Sequence, residues 1–402
     1  MANFDLMSEL AVDNGSKIIL LLLDGLGGLP MHLGGLTALE TAYTPNLDAL
    51  AVRAASGLSD PVAPGISPGS GPGHLALFGY DPIEYRFGRG VLEAMGIGFD
   101  LQANDVAIRG NFCTVDEAGN ITDRRAGRIP TEEAAKRTAL LRQIEMPGVE
   151  VFVEPVREYR FALILRGEGL SADIEDTDPQ RTGVPPLPLT PRNPQAQSTV
   201  ERLMLWMAEA NKVLAGHPPA NSFTLRGFAV DPGLPRFPEV YRIKSAAVAV
   251  YPMYKGISRL VGMDVIEHSA ETPAEEFAVV RQHWQDFDFF FVHIKKTDSY
   301  GEDGDFEGKV GVIEAVDQAL PALLDLKPDV LVITGDHSTP AKVKRHSWHP
   351  VPIMLVSENA RRDTVTQFGE TACLQGALGQ MKHVDILPLA LAHALRLNKF
   401  GA

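Results

Sequence analysis

The 402-residue sequence holds only two cysteines, Cys113 and Cys373, with neither metal-ligand nor redox spacing between them. At most one bridge could form, which excludes a disulfide-built scaffold and suits a reducing compartment. Long apolar runs are equally scarce. The one near the start, Ile18 to Leu23, falls far short of the roughly 20 residues that a membrane-spanning helix needs. Residues 1–16 contain no Lys or Arg to form the basic region of a signal peptide, so a cytoplasmic location is expected. Basic excess is missing too: 37 Lys plus Arg against 51 Asp plus Glu leave a net charge of −14. That balance excludes a non-specific nucleic-acid binder and a protein that coats anionic membranes. No internal repeat or low-complexity tract occurs. What remains is an ordinary folded chain, 45% hydrophobic and 22% charged, long enough for two to three domains or one large α/β domain with an insertion.

Lys17 to Asp24 is a continuous apolar run that ends in an acid and then in Gly25, Gly27 and Gly28, which predicts a buried parallel strand opening into a loop. The same pattern recurs at Phe287–His293 before Asp298 and at Val330–Asp336, and a further strand is predicted at Ala246–Tyr251. Helices are predicted between them, at Thr44–Ala51 with Pro45 at the first helical position, at Pro273–Trp284 and at Gly308–Leu323. Strands alternating with helices predict a doubly wound α/β sheet, whose ligands gather at the C-terminal strand ends. The middle differs: Asp105–Thr114 and Val149–Leu165 alternate as antiparallel strands do, and Thr177–Pro194 reads as an extended surface loop. An α+β domain inserted at residues 86–239 follows.

Several motifs fail in informative ways. Pro30 stands where a dinucleotide fingerprint needs its third glycine, so Asp24 reads better as a metal carboxylate at a strand end. Ser67–His74 surrounds Ser70 with Gly and Pro, letting the backbone approach a phosphate and expose the hydroxyl. It lacks both the lysine of a phosphate-binding loop and a hydrolase nucleophile elbow. Asp298–Asp305 is rich in oxygen ligands, but Tyr300 breaks the calcium-loop pattern; Asp298 and Glu302, four apart, can face one ion. Asp336 and His337 follow another strand, with His346 and His349 in the same loop, a donor set suited to Mn, Mg or Zn. Arg109, the run Asp123–Arg128 and Arg226 concentrate guanidinium groups that bind phosphate or carboxylate bidentately. Spacing does not select among them.

Taken together, Asp24-Gly25, Thr44–Asp48, Gly69-Ser70, Leu75–Pro82, Gly88–Gly90, Glu93–Gly96, Arg109–Asn111, Asp123–Arg128, Arg226-Gly227, Asp298, Gly335–His337 and His346-Ser347 resemble a known family. It is that of the archaeal-type cofactor-independent (2,3-bisphosphoglycerate-independent) phosphoglycerate mutases, in the alkaline phosphatase superfamily. The resemblance runs in order over residues 17–395. It implies an alkaline-phosphatase-like doubly wound core, residues 1–85 and 240–402, carrying an inserted α+β substrate-binding lid, residues 86–239. It also implies two divalent metal ions, Mn or Mg favoured with Zn open. Asp24, Ser70, Asp336 and His337 would surround one, and Asp298, Glu302 and His346 the other. Ser70 would be the nucleophile, and Arg109, Asp123, Arg125, Arg128 and Arg226 would bind substrate. Glu302 stands where members usually carry His, Gly71 where they carry Asp, and His349 where they often carry an acid. An anionic oxygen in place of an imidazole favours harder ions.

The implied reaction interconverts 3-phosphoglycerate and 2-phosphoglycerate through a phosphoserine, with neither 2,3-bisphosphoglycerate nor nucleotide. The expected partner is a small phosphate ester rather than nucleic acid or membrane, and a homo-oligomeric state stays open. Two other readings stand beside it. One is a metal-dependent phosphatase or phosphotransferase on another small phosphate ester, including a homoserine-kinase-like role. The other is a silent binding protein whose site has decayed.

Overall fold

The computed structural model describes residues 4–85 and 87–401. In chain order its strands are β1 (Ile18–Leu23), β2 (Ala55–Asp60), β3 (Val106–Val115), β4 (Ile121–Asp123), β5 (Glu150–Arg157), β6 (Arg160–Arg166), β7 (Ser222–Ala229), β8 (Ser245–Ala249), β9 (Asp264–Val265), β10 (Phe289–Ile294), β11 (Val330–Thr334), β12 (Val351–Ser357) and β13 (Gly379–Lys382). Contacts divide the chain into two compact units, Met1–Arg86 with Pro235–Tyr251 and Ile257–Ala402, and Phe87–Leu234 with Pro252–Gly256. The second junction lies at residue 234 rather than 239. The helix Phe237–Tyr241 belongs to the first unit because Phe237 packs against Phe289 at 4.9 Å between ring centroids.

The first unit holds an eight-stranded sheet in the order β13-β2-β12-β11-β1-β10-β8-β9. β1 pairs in parallel with β10 and β11, and β10 with β8, which is the α/β core expected from the alternation of strands and helices. The sheet is mixed rather than wholly parallel, because β12 runs antiparallel to both β11 and β2. No helix separates β11 from β12, so the chain turns back instead of crossing over. Every residue of β1 is buried, and alternate side chains serve opposite faces. Ile19, Leu21 and Leu23 join Leu47 and Leu50 and, from the helices Pro273–Gln282 and Phe306–Ala319, Phe277 and Ile313. Thr44 occupies the cap position before Pro45, yet its side chain makes no cap hydrogen bond.

The second unit is built on antiparallel pairs: β3 pairs with β4, β6 and β7, and β5 pairs with β6. One face carries Ile108, Phe112, Leu163 and Phe223 against Leu203 and Trp206 of the helix Gln197–Leu214. Alternation then turns Arg109 to the other face, cross-strand from Arg226. Among the described residues no helix is long and apolar enough to cross a membrane.

Candidate active site

Three adjacent parallel strands, β11, β1 and β10, deliver the acids at their C-terminal ends. Asp24 follows β1, Asp336 follows β11, and Asp298 lies in the helix Lys296–Asp303 directly after β10. The loop after β1 turns at Gly25, whose φ is +64°. A Cβ there would lie 2.5 Å from Thr339 Oγ1 and 2.9 Å from Asp298 Oδ1, so glycine alone lets the loops close. Ser70 begins the helix Ser70–Leu77, which is seated on the end of β11 because Gly73 places its Cα against the Asp336 carbonyl.

His337, fully buried, is the centre of the arrangement. Thr339 Oγ1 donates its proton to Asp298 Oδ1 at 2.7 Å and therefore accepts from His337 Nδ1 at 2.9 Å. His337 Nε2 is thereby aimed at Asp336 Oδ2 (3.1 Å), Asp24 Oδ1 (3.4 Å) and Ser70 Oγ (3.3 Å). His346 is fixed the same way: its Nδ1 bonds the Pro68 carbonyl at 2.9 Å, and its Nε2 lies 3.6 Å from Asp298 Oδ1 and 3.7 Å from Glu302 Oε1. Two groups of possible ligands result, Asp24 with Asp336 and His337, and Asp298 with His337 and His346. Asp24, Asp298, Asp336, His337 and His346 of the predicted set lie together at these strand ends. His337 belongs to both groups, and Glu302 sits at the rim with its side chain 55% exposed. His349 turns its Nδ1 to Ser347 Oγ and joins neither group.

The donor chemistry fits divalent ions. Burial opposes charge on His337, yet Asp336, with Asp24 and Asp298, raises its pKa to about 9. The place between these carboxylates thus draws a cation onto a nitrogen whose partner nitrogen is already committed, and a metal replaces that proton. For Asp24, burial and Asp336 push the pKa upward, but Lys295 and His293 hold it at about 2.

Four residues of this site were not singled out in the sequence. Lys295 Nζ bridges Asp24 Oδ2 (3.0 Å) and Asp298 Oδ2 (2.5 Å). His74 Nδ1 lies 3.1 Å from Asp336 Oδ2, and His293 Nε2 lies 3.3 Å from Asp24 Oδ2. Thr339 links His337 to Asp298. The available signal was position: Lys295 directly follows β10, and His74 stands one helical turn after Ser70.

The predicted arginines of the second unit have unequal commitments. Arg109 is buried and bonds Asn111 Oδ1 at 3.2 Å and Glu93 Oε1 at 3.3 Å. Arg226 pairs with Asp178 at 3.2 Å, and Arg124 grips the same carboxylate with two nitrogens. Arg89 lies within electrostatic reach of Arg109, Arg226 and Arg160. Asp123 turns both oxygens to its own backbone, accepting from the N–H groups of Arg125 (2.8 Å) and Gly127 (2.6 Å). Ala126, Gly127 and Arg128 all adopt positive φ, a strained turn that leaves Arg125 and Arg128 exposed. Among the described residues no carboxylate pairs with either.

Buried acid and histidine groups that could hold metal ions thus lie around a serine at the edge of an α/β sheet. A family model described as 2,3-bisphosphoglycerate-independent phosphoglycerate mutase matches residues 51–220. An Aquifex aeolicus protein named "Probable 2,3-bisphosphoglycerate-independent phosphoglycerate mutase" is 51% identical, covering 99% of this chain and 100% of the relative. Two solved structures agree in fold. A Pyrococcus horikoshii protein has a TM-score of 0.84 at 31% identity, covering 96% of this chain and 99% of its own. The cofactor-independent phosphoglycerate mutase from Thermoplasma acidophilum has a TM-score of 0.72 at 32% identity, covering 94% of this chain and 100% of its own. The chain belongs to the 2,3-bisphosphoglycerate-independent phosphoglycerate mutases.

Proposed function

We propose that the chain interconverts 3-phosphoglycerate and 2-phosphoglycerate through a phosphoserine on Ser70, independently of 2,3-bisphosphoglycerate. One observation carries the assignment: Ser70 Oγ lies 3.3 Å from His337 Nε2, where the two ligand groups meet. Two divalent ions, held by Asp24, Ser70, Asp336 and His337 and by Asp298, Glu302 and His346, would lower the pKa of the serine hydroxyl and neutralise the transferring phosphoryl oxygens. The preponderance of carboxylate oxygens favours Mn or Mg over Zn. Ser70 Oγ attacks phosphorus, the Oγ–P bond forms as the bond to the 3-oxygen breaks, and the proton given up by Ser70 ends on the glycerate 3-hydroxyl. Lys295 holds Asp24 and Asp298 apart from each other's charge throughout. The glycerate then turns and its 2-hydroxyl takes the phosphoryl group back.

A phosphoserine open to water would hydrolyse, so this chemistry requires a cover. We assign that role to the inserted unit, with Arg109 and Arg226 as its fixed cations and Arg125 and Arg128 as the exposed guanidinium groups for the carboxylate of the glycerate. A cytoplasmic location suits such a charged substrate. The alternative of a phosphatase or phosphotransferase on another ester is not favoured by the relatives. The test is phosphorus NMR of the metal-loaded protein with 3-phosphoglycerate alone. Formation of 2-phosphoglycerate that disappears in Ser70→Ala supports the assignment. Release of free phosphate without 2-phosphoglycerate overturns it.

A further inference from the structure

Lys309 is the only buried lysine among the described residues, with no exposed surface. It rises from the first turns of the helix Phe306–Ala319, and its ammonium meets carbonyl oxygens: Gly25 O at 2.7 Å, Thr339 O at 3.0 Å and Gly27 O at 3.1 Å. No carboxylate stands within ion-pair distance of it among the described residues. A charge buried among carbonyl dipoles, with Glu370, Asp298 and Asp24 acting on it only from beyond ion-pair distance, is costly, and the same volume filled by an apolar side chain is often neutral or stabilising. Stability is therefore a poor reason for an ammonium here.

The three carbonyls identify what the charge holds. Gly25 and Gly27 belong to the loop that follows Asp24, and Thr339 to the loop that carries Asp336 and His337. The Thr339 N–H reaches the same two glycine carbonyls, Gly27 O at 3.0 Å and Gly25 O at 3.2 Å, so donors from two directions converge on one pair of acceptors. Thr339 also supplies the hydroxyl that orients His337 Nδ1 and bonds Asp298 Oδ1. Gly301, one turn after Asp298, brings its Cα against the Thr339 carbonyl. The segments that bear Asp24, Asp298 and the pair Asp336 and His337 thus meet at the group Lys309 binds.

We propose that Lys309 is a positioning residue for phosphoryl transfer: its ammonium ties the Gly25 and Gly27 carbonyls to that of Thr339, and through Thr339 sets His337 Nε2 and the Asp298 carboxylate for the metal ions. The inference rests on the mutase assignment above for its reaction, though not for its geometry. Lys309 touches neither substrate nor reacting atoms. Its loss is read in metal affinity and turnover, while substrate recognition stays intact.

The test uses the full chain with Lys309→Met. We expect Mn²⁺ affinity by calorimetry to fall about tenfold or more, kcat to fall with it at saturating metal, and KM for 3-phosphoglycerate to stay within about twofold. In the metal-free protein the Thr339 amide is expected to lose hydrogen-exchange protection, while the amides of Leu20 to Leu22 keep theirs. Ethylammonium added to Lys309→Ala should recover Mn²⁺ affinity, and ethanol should not. A folded Lys309→Met with parental Mn²⁺ affinity and Thr339 protection overturns the proposal. So does failure of Lys309→Met, Lys309→Gln and Lys309→Ala alike to fold, since the residue then serves the fold. If the parent protein does not interconvert phosphoglycerates, the mutase assignment fails, and the affinity and exchange readouts still decide Lys309.

Discussion

His337 stacks on His346 with ring centroids 3.6 Å apart, and each imidazole is anchored through Nδ1, one by the Thr339 hydroxyl and the other by the Pro68 carbonyl. Both Nε2 atoms are consequently presented to the carboxylates. Anchors of this kind select the tautomer and orientation of a ligating histidine before any ion arrives.

Thr339→Val keeps the volume and removes the hydroxyl that serves His337 and Asp298. Mn²⁺ affinity is expected to fall about 10–100-fold, and Thr339→Ser to retain it within a few-fold. Calorimetric titration of the three proteins makes the comparison. Equal affinities for Val and Thr would show that the anchor is dispensable.

Glu302 lies 3.7 Å from His346 Nε2 at an exposed rim, so its replacement is expected to leave folding unchanged. Glu302→His exchanges an anionic oxygen for a neutral nitrogen and should shift preference from Mn²⁺ towards Zn²⁺ by about tenfold. Competitive metal binding followed by activity with each ion reads this directly. An unchanged ratio would remove Glu302 from the ligand set.

Arg125→Ala and Arg128→Ala are each expected to raise KM for 3-phosphoglycerate about tenfold, roughly the worth of one charge-assisted contact, while Mn²⁺ affinity stays parental. Lys at either position should recover only part, because an ammonium cannot grip a carboxylate with two parallel bonds. Steady-state kinetics of the four variants supply the answer, and parental KM values would move substrate recognition to Arg109 and Arg226.

Glu276, buried in the helix Pro273–Gln282, has its carboxyl pushed up by burial to about 9, from 4.5 in an unfolded chain. The folded protein binds this proton more tightly, so the stability it contributes is complete below pH 4.5 and declines as pH rises towards 9. Glu276→Gln should therefore gain about 4 kcal/mol near pH 7.5 and little near pH 4. Urea unfolding at the two pH values tests the sign, and an equal gain at both would show that the proton is not the cause.

Much of this was legible in the sequence because short-range rules governed it. Each of the apolar runs before Asp24, Asp298 and Asp336 had to be a buried strand, and a parallel sheet places the residues after such strands on one edge. Ser70, in a run of Gly and Pro, declared an exposed backbone. By contrast, the antiparallel course of β12 was hidden, since an apolar run reads the same in either direction. Asp123 was hidden too: its carboxylate bonds the backbone of its own turn, and composition cannot distinguish that from a contact with substrate.

The sequence by itself determined the alternation of strand and helix, the acids at the strand ends, the serine and the arginine-rich turn, because each depends on residues near one another in the chain. Only the tertiary structure decided that His337 falls within both groups of possible ligands, that Lys295 bridges Asp24 and Asp298, and that Lys309 gathers Gly25, Gly27 and Thr339. The two lysines lie up to 284 residues in the chain from the groups they bind. They meet because the sheet aligns β1, β10 and β11, and a hydrogen bond depends on distance in space, to which sequence separation is no guide.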